Sequence, residues 1–165
     1  MEIRKIFVVG SGLMGSGIAQ TAIQAGYEVI LNDQSKAALE RGQAGISKRL
    51  ERLVEKGRMT AEEKEACMGR LTTSVSVHVA SNVDMVIEAI YENLEAKQSI
   101  FQQLDKICDS RTIFASNTSS ISMTSLAAAT SRPEKVVGMH FFSPVPVMSL
   151  VEIVYGLRTS KETID

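Results

Sequence analysis

Apolar and polar positions along the chain switch between two periods, and the switches lay out alternating strands and helices. Ile6-Phe7-Val8-Val9 is an unbroken apolar run stopped by Gly10, the pattern of a strand covered on both faces. Leu13 to Ala25 are good helix formers, with Met14, Ile18 and Ala22 four residues apart and Gly26 as the stop. Tyr27 to Leu31 predicts the next strand. A long helix follows from Ser35 to Lys56 with Ile46, Leu50, Leu53 and Val54 on one face. Gly57 breaks it, and Thr60 with Glu63 forms a capping box for a shorter helix. Beyond lie strands at Leu71–Thr73 and Met85–Ile87, and a helix from Asn93 to Cys108 that carries Leu94, Phe101 and Leu104. Then come a strand at Thr112–Ala115, a helix at Ile121–Ala129 that Ser119 or Ser120 would cap, and a strand at Lys135–Met139. After Pro144 and Pro146, Leu150–Val154 is the last strand. Strands separated by helices predict an α/β fold with a doubly wound, mostly parallel sheet.

Composition narrows this further. The chain has 165 residues, 44% hydrophobic and 22% charged, enough for one domain with a sizeable core. Net charge is −1, so nothing attracts nucleic acid by charge alone. No apolar run reaches the ~18 residues of a membrane span, and the opening residues do not read as a secretory signal. Cys67 and Cys108 have no metal-type spacing, which suits a reducing, cytoplasmic setting. No metal site, nucleic-acid partner or membrane partner is expected. Residues 48 to 65 hold eleven charges, basic first and then mostly acidic; the bland reading is a solvated helical hairpin.

Gly10-Ser11-Gly12-Leu13-Met14-Gly15 fits G-x-G-x-x-G between a predicted strand and a predicted helix. In that context Gly10 permits the tight turn, Gly12 lets a diphosphate approach the backbone, and Gly15 lets helix and strand pack closely. Asp33 ends the second strand, where a carboxylate accepts the ribose hydroxyls and repels a 2′-phosphate. The fold is then Rossmann-type with a charged helical hairpin, and the expected cofactor is NAD rather than NADP. A turn that binds nothing is the competing reading.

In such a sheet, ligands sit beyond the carboxyl ends of the strands. Three polar groups fall there: Glu88 with Asn93 following, the run Ser116-Asn117-Thr118-Ser119-Ser120, and His140. A histidine suits removal of a hydroxyl proton during hydride transfer, and Glu152 is its candidate orienting carboxylate. The spacing of twelve residues does not say whether the two meet. His78 receives no role, and both cysteines read as core thiols.

Several segments in order are similar to the 3-hydroxyacyl-CoA dehydrogenase family, and within it to the bacterial 3-hydroxybutyryl-CoA dehydrogenases. They are Val8 to Gly15, Glu88-Ala89-Ile90-Tyr91-Glu92-Asn93-Leu94, Ala115 to Ser120, Gly138-Met139-His140-Phe141-Phe142, Pro144 to Met148 and Leu150-Val151-Glu152. The resemblance implies NAD-dependent interconversion of 3-hydroxyacyl-CoA and 3-ketoacyl-CoA, in fatty-acid or butanoate metabolism. It implies His140 as general base and acid, Glu152 as its partner, and Ser119 bonded to the substrate oxygen. Glu88 and Asn93 would contact the cofactor beside Gly10–Gly15 and Asp33, and Lys56 and Arg49 would face the CoA moiety. Ser143 departs from the family, where many members carry Asn. The resemblance also implies a domain at 1–156, a linker beginning at 157–165, and a helical C-terminal domain that closes the site and forms a homodimer. Alone, the present chain is then expected to be weakly active or inactive. The competing functions are a non-catalytic NAD(H)-binding module and a Rossmann dehydrogenase of hydroxy acids without CoA.

Overall fold

Each buried strand splits its residues between two helical layers, which is why the apolar runs are continuous. The computed structural model describes residues 2–165. Seven strands form one sheet: β1 (Lys5–Val9), β2 (Glu28–Asn32), β3 (Leu71–Ser74), β4 (Met85–Glu88), β5 (Ile113–Ser116), β6 (Val136–Phe141) and β7 (Val151–Tyr155). Their order is β3-β2-β1-β4-β5-β6-β7. All neighbours are parallel except β6 and β7, which are antiparallel.

Ile6 and Val8 of β1 face one layer, made by α1 (Leu13–Gln24), α2 (Lys36–Glu55) and α3 (Ala61–Gly69). Phe7 and Val9 face the other, made by α4 (Leu94–Ile107) and α5 (Met123–Ala127). The order reverses between β1 and β4, so a crevice opens there at the carboxyl ends.

The hairpin of α2 and α3 is held to the sheet by an apolar stripe, Leu39, Ile46, Leu50 and Cys67, all buried. Its charged faces are turned outward, and Lys64 pairs with Glu51 across it. Ser35 caps α2, and Thr60 and Glu63 form the expected capping box on α3. Gly57 sits between the helices at φ +65°.

Three elements differ from the sequence reading. Neither Ser119 nor Ser120 caps α5; the helix starts at Met123 under Ser122, whose side chain accepts from the Ser125 amide. Thr118 Oγ1 accepts from the amides of Ser120 and Ile121, and this turn delays the helix. His78 lies in a 3-10 turn, Val77–Asn82, a stretch to which the sequence reading gave no element. Strand β6 runs past His140 to Phe141, so the histidine is inside the strand, because β7 returns alongside and supplies partners there.

Residues 157–165 include a last helical turn, α6 (Lys161–Ile164). Thr159 Oγ1 donates to Val136 O, and Thr163 Oγ1 donates to Glu134 O. Among the described residues no helix is long and apolar enough to cross a membrane, and no three potential metal ligands cluster.

Candidate active site

The glycine loop joins β1 to α1 in the crevice, and each glycine meets a different constraint. Gly10 has φ +97°, and a Cβ there would lie 2.6 Å from Ala89 O. A Cβ on Gly15 would lie 1.8 Å from Gly10 O, whereas Gly12 has no atom within 4 Å of where its Cβ would be. The loop is therefore closed toward the protein and open toward the crevice. Gly12 caps α1 without a side chain, and no acidic residue occupies the first turn. The amides of that turn are left to a ligand anion. Ser11 is buried, Leu13 is exposed, and Met14 lines the cavity beside His140.

Asp33 faces the same loop. Its Oδ2 accepts from Ser11 N at 3.0 Å and Ser11 Oγ at 2.8 Å, and its Oδ1 accepts from Ser35 N at 3.0 Å. Partial burial alone would raise its pKa, but the donors on Ser35 and Ser11, with Arg41 nearby, together hold it below the ordinary range. The carboxylate stays ionised near neutrality and has acceptor capacity left for ribose hydroxyls. A cleft of about 470 Å³ runs from Gly12 and Asp33 to Ala89, Ile90 and Tyr91. An open loop, uncapped amides and an ionised acceptor fit a dinucleotide lying across the switch point. Replacing Asp33 by Ala is expected to weaken NAD by about tenfold and to narrow its advantage over NADP. Unchanged selectivity in calorimetric titrations would remove Asp33 from the ribose site.

The two residues expected beside Asp33 behave differently. Glu88 is fully buried. Its Oε1 accepts from Ile90 N and Lys97 Nζ, both at 2.7 Å, and its Oε2 accepts from Ser116 Oγ at 2.5 Å. Its side chain is thus engaged beneath the crevice floor, where it holds Lys97, Ile90 and Ser116, and is not offered to the crevice. Asn93 is exposed at the start of α4, where its Oδ1 accepts from Ala96 N at 2.8 Å as the helix cap.

The run after β5 is almost fully engaged. Ser116 bonds Glu88, and Asn117 Oδ1 accepts from Phe141 N at 2.9 Å. Thr118 and Ser120 both donate to Glu92 Oε1. Ser119 makes no side-chain hydrogen bond among the described residues and lines two cavities that also contain His140. Glu92 and Lys97 were not singled out from the sequence. The signal was available in Lys97, which stands four residues before buried Phe101 on the apolar stripe of α4.

His140 and Glu152 stand directly opposite each other in the antiparallel pair β6–β7, so both side chains leave the same face. His140 Nδ1 lies 2.8 Å from Glu152 Oε2. A carboxylate only accepts, so Nδ1 carries the proton and Nε2 is left free to take one. The Phe142 ring lies 4.7 Å from the imidazole. The long β6–β7 loop is fastened by Val145, which packs where a Cβ on Gly17 would lie 2.9 Å away, and Ser143 lines the cavity with His140.

The expected CoA-facing pair is divided. Lys56 is exposed just past α2. Arg49 is turned back onto α1, its Nε 2.5 Å from Gln20 Oε1, and burial lowers its pKa. Gln20 is itself buried, so the Arg49 guanidinium is engaged in the α1–α2 contact while Lys56 is exposed.

Residues 5–165 match the family model described as 3-hydroxyacyl-CoA dehydrogenase, NAD binding domain. The chain is 50% identical over 163 residues to a probable 3-hydroxybutyryl-CoA dehydrogenase of Bacillus subtilis, covering 99% of this chain and 57% of that protein. It is 44% identical to the 3-hydroxyadipyl-CoA dehydrogenase of Escherichia coli, covering all of this chain and 35% of that one. Among solved structures it matches the (S)-3-hydroxybutyryl-CoA dehydrogenase of Ralstonia eutropha at 45% identity and TM-score 0.96, covering 99% of this chain and 58% of that one. The chain thus spans little more than half of such relatives, or less.

Proposed function

The chain belongs to the family of 3-hydroxyacyl-CoA dehydrogenase NAD-binding domains, and on that premise we propose that it carries the cofactor site and the proton-transfer pair of an enzyme interconverting 3-hydroxyacyl-CoA and 3-ketoacyl-CoA, with 3-hydroxybutyryl-CoA the substrate. The observation that supports this most is the cross-strand His140–Glu152 pair, which opens on the same cavities as Ser119. A domain that only held a dinucleotide has no use for a histidine whose tautomer a carboxylate fixes.

When bound, NAD supplies the hydride acceptor. Oxidation of the hydroxyl carbon also requires that the hydroxyl proton leave to a base. Nε2 of His140 takes that proton, and Glu152 stabilises the imidazolium that results. In the reducing direction the imidazolium returns the proton to the forming alkoxide. Ser119 donates to the substrate oxygen and holds it toward His140. Lys56 is offered to the CoA phosphates as a point charge. We place the remaining pocket wall and the homodimer contact in the part of the relatives that lies outside the matched length.

Calorimetric titration with NAD, NADP and acetoacetyl-CoA, each alone, tests this reading. The expected result is binding of NAD, much weaker binding of NADP, and binding of the acyl-CoA that Lys56→Ala weakens. Failure of NAD to bind, or NADP binding as tightly as NAD, would overturn it.

A further inference from the structure

A buried charge cluster underlies the reactive end of the cleft, and proton transfer leaves it unused. Lys97 Nζ lies 2.7 Å from Glu88 Oε1 and 3.3 Å from Glu92 Oε2. It also donates to Ile90 O at 3.3 Å. The Lys97 and Glu88 side chains are wholly buried, whereas the Glu92 side chain is 42% exposed. Glu92 lines the cavity with Ala89, Asn117, Ser119 and His140. Two carboxylates against one ammonium leave a single net negative charge, and only Glu92 presents it to the cavity. Thr118 and Ser120 hold that carboxylate by donating to one oxygen. Burial acts to raise the pKa of Glu92, but Thr118, Lys97 and Ser120 outweigh it and keep the group below the ordinary range.

The position of this charge matters because of how a dinucleotide crosses the sheet. Asp33 follows β2, so the adenosine half lies on the β2 side of the glycine loop. The other half then extends past Ala89 and Ile90 over β4 to β6. The nicotinamide ring is cationic when oxidised and neutral when reduced, while the adenosine half is identical in both forms. A fixed charge under the ring therefore distinguishes the two oxidation states.

We propose that the Glu88–Lys97–Glu92 cluster selects the cofactor's redox state, its net negative charge favouring oxidised over reduced nicotinamide through Glu92. This rests on NAD occupying the cleft, as in the functional reading, and needs no statement about the substrate. The α1 amides carry partial positive charge, but they face the diphosphate, which both forms share. Glu152 lies beyond the imidazole and adds charge of the same sign, which a change at Glu92 leaves in place.

The test measures Kd for NAD by calorimetry and for NADH by its fluorescence, in the unaltered protein and four variants. Glu92→Gln is expected to lower the ratio Kd(NADH)/Kd(NAD) by about tenfold, mostly by weakening NAD. Glu92→Asp keeps the charge and keeps the ratio. The double change Glu88→Gln with Lys97→Met removes one charge of each sign and leaves the ratio within about twofold. Asp33→Ala weakens both forms by the same factor. Equal weakening of NAD and NADH by Glu92→Gln, or no change in either, overturns the selector and leaves the functional reading standing. Absence of NAD binding in the unaltered protein overturns that reading as well. Should the double variant fail to fold, the Gln and Asp variants at Glu92 decide the matter alone.

Discussion

Replacing His140 by Gln in the active protein is expected to lower kcat by ~10²–10⁴-fold while Kd for NADH stays within about twofold. The split follows from the geometry. The imidazole stands on the edge pair β6–β7, next to but outside the glycine loop and Asp33 that hold the dinucleotide. Gln can still donate a hydrogen bond toward Glu152, so β6 keeps its partner across the pair. What Gln cannot do is accept a proton from an alcohol and return it. Glu152→Gln should also depress kcat with little effect on Kd, because the wrong tautomer then becomes available to His140. Stopped-flow hydride transfer and NADH fluorescence titration separate the two quantities. A parallel loss of cofactor binding in His140→Gln would mean that the residue shapes the cleft, and proton transfer would need another base.

This pair was half legible in the chain. His140 stands out beside its aromatics, and Glu152 stands out as the one charge within the apolar segment Leu150–Val154. Their meeting depends on β7 turning back antiparallel after a nine-residue connection fastened by Val145. Hydrophobic patterning carries no strand direction, so that register had to come from the fold. The opposite holds at the glycine loop. There the constraint is local, since strand, turn, helix and the acid after β2 all lie within residues 5 to 33, and the spacing alone places each where it is found. The Thr60–Glu63 box is legible for the same reason, because a capping box closes within one helical turn.

Glu88 marks where local reading fails. An acid after Met-Val-Ile reads as the polar end of a strand pointing to solvent or ligand. In the fold it is fully buried, because a lysine nine residues later folds back from α4 to meet it. Neither residue explains itself alone; an acid inside and a lysine on an apolar stripe are each anomalies. Taken together they complete a pair, and the loop that carries Ser119 hangs from it through Ser116. Arg49 misleads in the other direction. The resemblance sets it beside Lys56 toward the CoA moiety, but a guanidinium reaches far enough to be claimed by buried Gln20 on α1.

The anomalous pair makes the largest stability prediction. Lys97→Met should destabilise the fold by about 3–5 kcal/mol, because Glu88 would be left buried without a counter-charge. For a chain of this size that corresponds to a fall in Tm of roughly 10 °C. The loss should be reversed in large part by adding Glu88→Gln. Gln at that position keeps an oxygen on Ile90 N and turns its amide toward Ser116 Oγ, which can accept. Met fills the volume of the lysine stem at little strain. The double variant then has no buried charge, and replacing a buried ion pair as a whole is often close to neutral. Thermal unfolding of the two single variants and the double variant closes the cycle. If Lys97→Met alone melts as the unaltered protein does, the lysine is not the counter-charge of Glu88 and the floor of the crevice is held some other way. If the double variant is no better than the single one, the ammonium's contact with Ile90 O, rather than its charge, is what the loop depends on.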